Sequence, residues 1–186
     1  MKTIVRIIMA FILLGMCVWT YFYLRNTFPV SQRSPEAYCF DNMWVLGVYF
    51  REWAEDHGGA FPFNVSTNDG GARELCESDQ DGFAKDSVAI FKSMRANVGE
   101  FLSPWVCPLD SKKRAASWDN LMSKNITYRV HLGTNVNVAN TNEVLLYCPI
   151  HGYLLLSSGD VVDRQRKALP AYPRPFLITK PKPKGD

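Results

Sequence analysis

Five cysteines and three histidines are the residues of this 186-residue chain best suited to hold a metal or form a crosslink. Cys17 lies inside an apolar run and reads as a small buried hydrophobe. Cys39, Cys76, Cys107 and Cys148 are widely spaced and contain no C-x-x-C pair. An even number of cysteines beyond a membrane anchor predicts two disulfides in an oxidising compartment, and four cysteines allow about three pairings. Each bridge would close a loop of tens of residues and stabilise the fold by about 3–4 kcal/mol. The competing chemistry is zinc ligation. Cys148-Pro149-Ile150-His151 has C-x-x-H spacing, and Cys107-Pro108 could join it. That reading makes the chain a zinc-binding extracytoplasmic domain using Cys107, Cys148 and His151. Structural zinc sites usually bring two closely spaced ligand pairs, and only one is present here. Bridged cysteines are therefore the expectation, with no metal and no cofactor.

Catalysis has little to stand on. No serine or cysteine sits in a nucleophile context such as G-x-S-x-G. His151 beside Cys148 could act as an acid or base, but a hydrogen-bonded histidine at a turn is the simpler reading. His57 falls at a helix end, where a cation suits the dipole, and His131 alternates within a strand pattern. Ser78-Asp79-Gln80-Asp81-Gly82 lacks the further ligands of a calcium loop and reads as a solvated turn. Asn64-Val65-Ser66 and Asn125-Ile126-Thr127 match the glycosylation pattern. The chain is expected not to be an enzyme.

These residues must be positioned by a long helix and a sheet. Ser34 can cap a helix and Pro35 fits its first position. Phe40, Met43, Trp44, Gly47, Phe50 and Ala54 recur at three- and four-residue steps and predict one apolar stripe. Gly58-Gly59 supplies the left-handed stop. About 22 residues at 1.5 Å each give a rod of roughly 33 Å. Asp86 to Asn97 predicts a second helix, and Phe101 to Cys107 a short edge strand around Pro104. Strands are expected at Ile126–Leu132, Val144–Ile150 and Tyr153–Leu156, then a tight Ser158-Gly159 turn and a last strand at Asp160–Val162. Helices followed by a run of strands indicate an α+β domain, with the long helix laid across a small antiparallel sheet.

Charge divides the chain into three. Residues 1–35 carry four Lys/Arg and no acid, residues 36–163 carry ten and seventeen, and residues 164–186 carry seven and one. The acidic middle excludes nucleic acid, whose phosphates need a basic face. Ile4 to Leu24 is long and apolar, with Arg6 near its start and Trp19, Tyr21 and Tyr23 at its end. It predicts an N-terminal transmembrane helix through residues 4–24. The expected division is anchor and linker at 1–33, an extracytoplasmic domain at 34–163 and a basic, Pro-rich, disordered tail at 164–186. Loops around 64–82 and 133–142 are the candidate contact surfaces.

The segment C-F-D-N-M-W-V-L-G-V-Y-F-R-E-W-A-E-D-H-G-G-A-F-P-F (39–63) resembles bacterial type II secretion pseudopilin-like proteins. The likeness continues through 63–76, D-G-F (81–83), V-C-P-L-D (106–110), N-I-T-Y (125–128) and C-P-I-H-G (148–152), over about residues 39–162. The prepilin cleavage signal has no counterpart in MKTIVRIIMAFILLGM. The resemblance implies a pilin-like fold and a structural or assembly role, with secretion or pilus assembly proteins as partners. It implies a single-pass protein of the bacterial inner membrane with its C-terminal domain in the periplasm. It also implies the pairings Cys39–Cys107 and Cys76–Cys148.

Overall fold

The computed structural model describes residues 13–21, 23, 33–167 and 169. The chain divides into two units, Met1–Arg33 and Ser34–Asp186. In the first, residues 13–21 are helical and their side chains are exposed. The expected transmembrane helix is corrected here. Among the described residues no helix is long and apolar enough to cross a membrane. Residues 4–12, 22 and 24 of the expected span lie outside the described residues. The single-pass, periplasmic localisation rested on that span and is corrected with it. The tail beyond 167, apart from 169, likewise lies outside the described residues.

The second unit is built on helix α1, Pro35–Glu55. Ser34 caps it, its hydroxyl accepting from the Ala37 N–H at 3.3 Å, with Pro35 at the first position. Past the end, Gly58 and Gly59 take positive φ, and the Gly59 N–H returns to the Ala54 carbonyl at 2.8 Å. The buried face consists of Ala37, Cys39, Met43, Leu46, Gly47, Phe50, Trp53 and Ala54. It is rotated from the expected stripe, because Phe40 and Trp44 are only half-buried while Cys39, Leu46 and Trp53 point inward.

The expected second helix breaks at Met94 into α2, Val88–Ser93, and α3, Arg95–Val98. The expected strand around Pro104 is a 3-10 turn, Ser103–Trp105. Proline has no N–H to give to a ladder. The sheet contains β1 (Arg129–Val130), β2 (Val144–Tyr147), β3 (Leu154–Leu156) and β4 (Val161–Val162), antiparallel throughout and in chain order. Arg129 faces Tyr147, and Tyr147 faces Leu154. Leu155 faces Val161, and an irregularity interrupts β2 between Val144 and Leu146.

Helix α1 meets the sheet where Gly47 admits Leu155. A Cβ at position 47 would stand 3.0 Å from Leu155 Cδ1, so glycine sets how closely helix and sheet approach. Along the same buried face of the helix, aromatic rings fill the core. Phe50 packs edge-on to Phe61 and Phe91, Phe91 meets Trp105 at 4.4 Å, and Trp105 meets Trp118. Trp118 is anchored by donating from Nε1 to the Gly99 carbonyl at 2.6 Å.

Candidate metal centre

Three separate segments deliver four ligand-type side chains to one point. Cys39 projects from the buried face of α1. Cys107 follows the Ser103–Trp105 turn and is fixed through its own backbone. Its N–H donates to Thr127 Oγ1 at 3.0 Å, and the Thr127 hydroxyl donates to Asp110 Oδ2 at 2.7 Å. The Asp110 N–H returns to the Cys107 carbonyl at 2.9 Å, closing a tight turn around Pro108. Cys148 comes directly after β2, and His151 lies on the turn leading to β3. That turn is closed by Cys148 N–H to the Tyr153 carbonyl at 2.9 Å and Gly152 N–H to the Cys148 carbonyl at 2.8 Å. Gly152 holds φ of 73°, a left-handed conformation that side chains disfavour.

One ligand atom from each of Cys39, Cys107, Cys148 and His151 lies within 4.8 Å of all the others. The Cys39 and Cys148 sulfurs are 3.5 Å apart. His151 Nδ1 is 3.3 Å from the Cys107 sulfur and 3.9 Å from that of Cys148. Tetrahedral zinc with bonds of about 2.3 Å to sulfur and about 2.0 Å to nitrogen needs edges of roughly 3.8 and 3.5 Å. The two sulfur–nitrogen separations bracket the second value, and the Cys39–Cys148 sulfur separation is about 0.3 Å short of the first. The three cysteines are buried and the histidine is half-buried. No carboxylate belongs to the group, so the donor set is soft and suits zinc over magnesium or calcium.

The electrostatics are those of thiols packed together out of water. The Cys39 S–H donates to Cys148, which raises the Cys39 pKa, and burial raises it further. The same bond is the chief cause lowering Cys148 to about 5. Burial opposes that shift, while the backbone N–H groups of His151 and Ile150 and the His151 ring add to it. Burial pushes Cys107 up to about 11, opposed chiefly by the Leu109 N–H. Both the Cys107-Pro108-Leu109 and Cys148-Pro149-Ile150-His151 turns therefore aim backbone N–H groups at sulfur. The Tyr128 hydroxyl supports Cys39 from outside the group at 3.6 Å. The His151 ring stacks on Tyr153, with centroids 5.3 Å apart. Its Nε2 is buried and has no hydrogen-bond partner among the described residues, and Nδ1 is the ring nitrogen that faces the sulfurs.

Cys39, Cys76, Cys107 and Cys148 are unbridged. Of the four expected in disulfides, Cys39, Cys107 and Cys148 converge. Cys76 stands apart, half-buried, donating its thiol to the Ala72 carbonyl at 3.0 Å. The zinc set of Cys107, Cys148 and His151 is brought together, and Cys39 joins it as a fourth member that the C-x-x-H spacing does not reveal. Its signal was the helical register shared with Met43, Leu46 and Phe50. The other candidates are local. His57 lies flat on Trp53, centroids 3.5 Å apart, with Nδ1 2.7 Å from the Trp53 carbonyl oxygen. His131 packs edge-on to Phe83. Asp79 uses Oδ1 to accept from the Asp81 and Phe83 N–H groups and Oδ2 to accept from Arg129, so the 78–82 turn closes on itself. Asn64 donates to the Gly133 and Val136 carbonyls, and buried Asn125 donates to that of Lys113. Both glycosylation motifs thus serve internal hydrogen bonds.

No family model, no curated protein and no solved structure matches the chain. These comparisons give no support to the expected type II secretion assignment and do not test it.

Proposed function

We propose that this chain is a metal-clamped, non-catalytic domain that holds one zinc ion through Cys39, Cys107, Cys148 and His151. The observation that carries this reading is the convergence of three buried sulfurs and one imidazole nitrogen within 4.8 Å, drawn from segments remote in sequence. Four protein ligands fill a tetrahedron and leave no open position for water or substrate, which is the pattern of structural and not catalytic zinc. The metal would fasten the start of α1 to the Cys107 turn and to the end of β2. A small domain gains rigidity from such a clamp, and its exposed loops become a stable surface for binding or assembly.

Metal analysis of the full chain, purified without chelator, tests it. The expected result is about one zinc per chain. Cys39→Ser and His151→Ala should each lower affinity by tenfold or more, the scale on which perturbing even a ligand's supporting partners acts. Cys76→Ser, which lies outside the group, should retain full occupancy. Zinc far below one per chain, or occupancy that follows Cys76 and not Cys39, would contradict it.

A further inference from the structure

The geometry points to a second state of this centre: Cys39 and Cys148 form an oxidisable pair, and a hydroperoxide converts them to a disulfide that displaces the metal. The inference rests on the metal reading for what is displaced, while the pair itself stands on separate observations. The two sulfurs are 3.5 Å apart, with the Cys39 S–H already directed at Cys148. A disulfide needs about 2.0 Å, so the two sulfurs must approach by roughly 1.5 Å. Cys107 is the less suited partner, because its sulfur makes its close contact with His151 Nδ1, at 3.3 Å, and not with another sulfur. Cys76 is engaged elsewhere, with Ala72.

The chemistry balances with a hydroperoxide as the named oxidant. The Cys148 sulfur attacks one peroxide oxygen, the O–O bond breaks, an alcohol leaves, and a sulfenic acid forms on Cys148. The Cys39 sulfur then attacks that sulfur, the S–O bond breaks and water leaves. The two cysteines give up two electrons, and the hydroperoxide is reduced to alcohol and water. Where the sulfurs start as metal-bound thiolates, the two protons come from solvent. The disulfide removes two of four ligands, so Cys107 and His151 alone are left to the metal. The three sulfurs are buried, with half-buried His151 and exposed Ile150 beside them, and a small peroxide must enter on that side. The product still ties α1 to the end of β2 across a sequence separation of 109 residues. Metal and disulfide are therefore alternative clamps at one junction, suited to reducing and oxidising surroundings respectively.

The test treats the zinc-loaded full chain with hydrogen peroxide. Released zinc is followed with a chromophoric chelator, and cysteine peptides are mapped by mass spectrometry without reduction. The expected result is a Cys39–Cys148 crosslinked peptide appearing in step with zinc release, reversed by a dithiol plus zinc. Cys76→Ser should behave as the unaltered chain does. A dominant Cys39–Cys107 or Cys107–Cys148 peptide would overturn the inference, as would zinc retained after crosslinking or sulfinic acid without any bridge. Protein that arrives without zinc yet forms the Cys39–Cys148 bridge would sink the metal reading and uphold the pair.

Discussion

Thr127 shows how much of the proposed metal centre depends on residues outside its four ligands. Its single hydroxyl accepts from the Cys107 N–H and donates to Asp110 Oδ2, and its own N–H donates to the Trp105 carbonyl. The side chain is buried, so neither partner is easily repaired by water. Thr127→Val keeps the shape and removes the hydroxyl, stranding the Cys107 N–H and one carboxylate oxygen. The expected cost is about 1–3 kcal/mol in urea unfolding of the zinc-loaded chain, with zinc affinity reduced about tenfold or more because Cys107 loses its support. A change below about 0.5 kcal/mol would mean that Thr127 does not position Cys107. Nothing in the sequence marks Thr127. It stands in a glycosylation motif, and its role exists only once the 103–110 and 125–128 segments lie side by side.

Among the elements, α1 was readable because its signals are local: the Ser34 cap, Pro35, and the glycines after Asp56. Its buried face was harder to read. Trp44 and Phe40 look apolar on paper but bury only partly, whereas Cys39 belongs to the deepest part of the face. The sheet order could be anticipated from alternation and the Ser158-Gly159 turn. The strand expected over 126–132 is paired as β1 only at Arg129–Val130. Upstream of β1 the Thr127 N–H goes to Trp105, a tertiary partner that periodicity cannot foresee. Helix and sheet are joined at Gly47, where the space for a side chain is already taken by Leu155. Gly47→Val must push that contact apart, and overpacking of this kind costs about 1–3 kcal/mol. Thermal unfolding should report it. An unchanged or raised melting temperature would mean that the helix and β3 are not held at this distance.

For the molecule as a whole, the proposed clamp would join three parts of the chain that the hydrophobic core also joins, so metal and core should act together. A ligand bound only by the folded state stabilises it by about 4 kcal/mol at a thousand times its dissociation constant. At roughly 2–4 °C per kcal/mol for a chain of this size, stripping the metal with a strong chelator should lower the melting temperature by about 10 °C. Restoring zinc should recover it, while magnesium should not, because the donors are three sulfurs and a nitrogen. The C-x-x-H half of the centre could be read from sequence. Cys39 could not be joined to it, because the convergence depends on how α1 is turned against β2.

The most direct measurement is X-ray absorption at the zinc edge of the full chain. The account predicts one zinc coordinated by three sulfurs at about 2.3 Å and one nitrogen at about 2.0 Å, with one sulfur lost in Cys39→Ser. A shell made of oxygen and nitrogen alone, or one indifferent to Cys39, would contradict it.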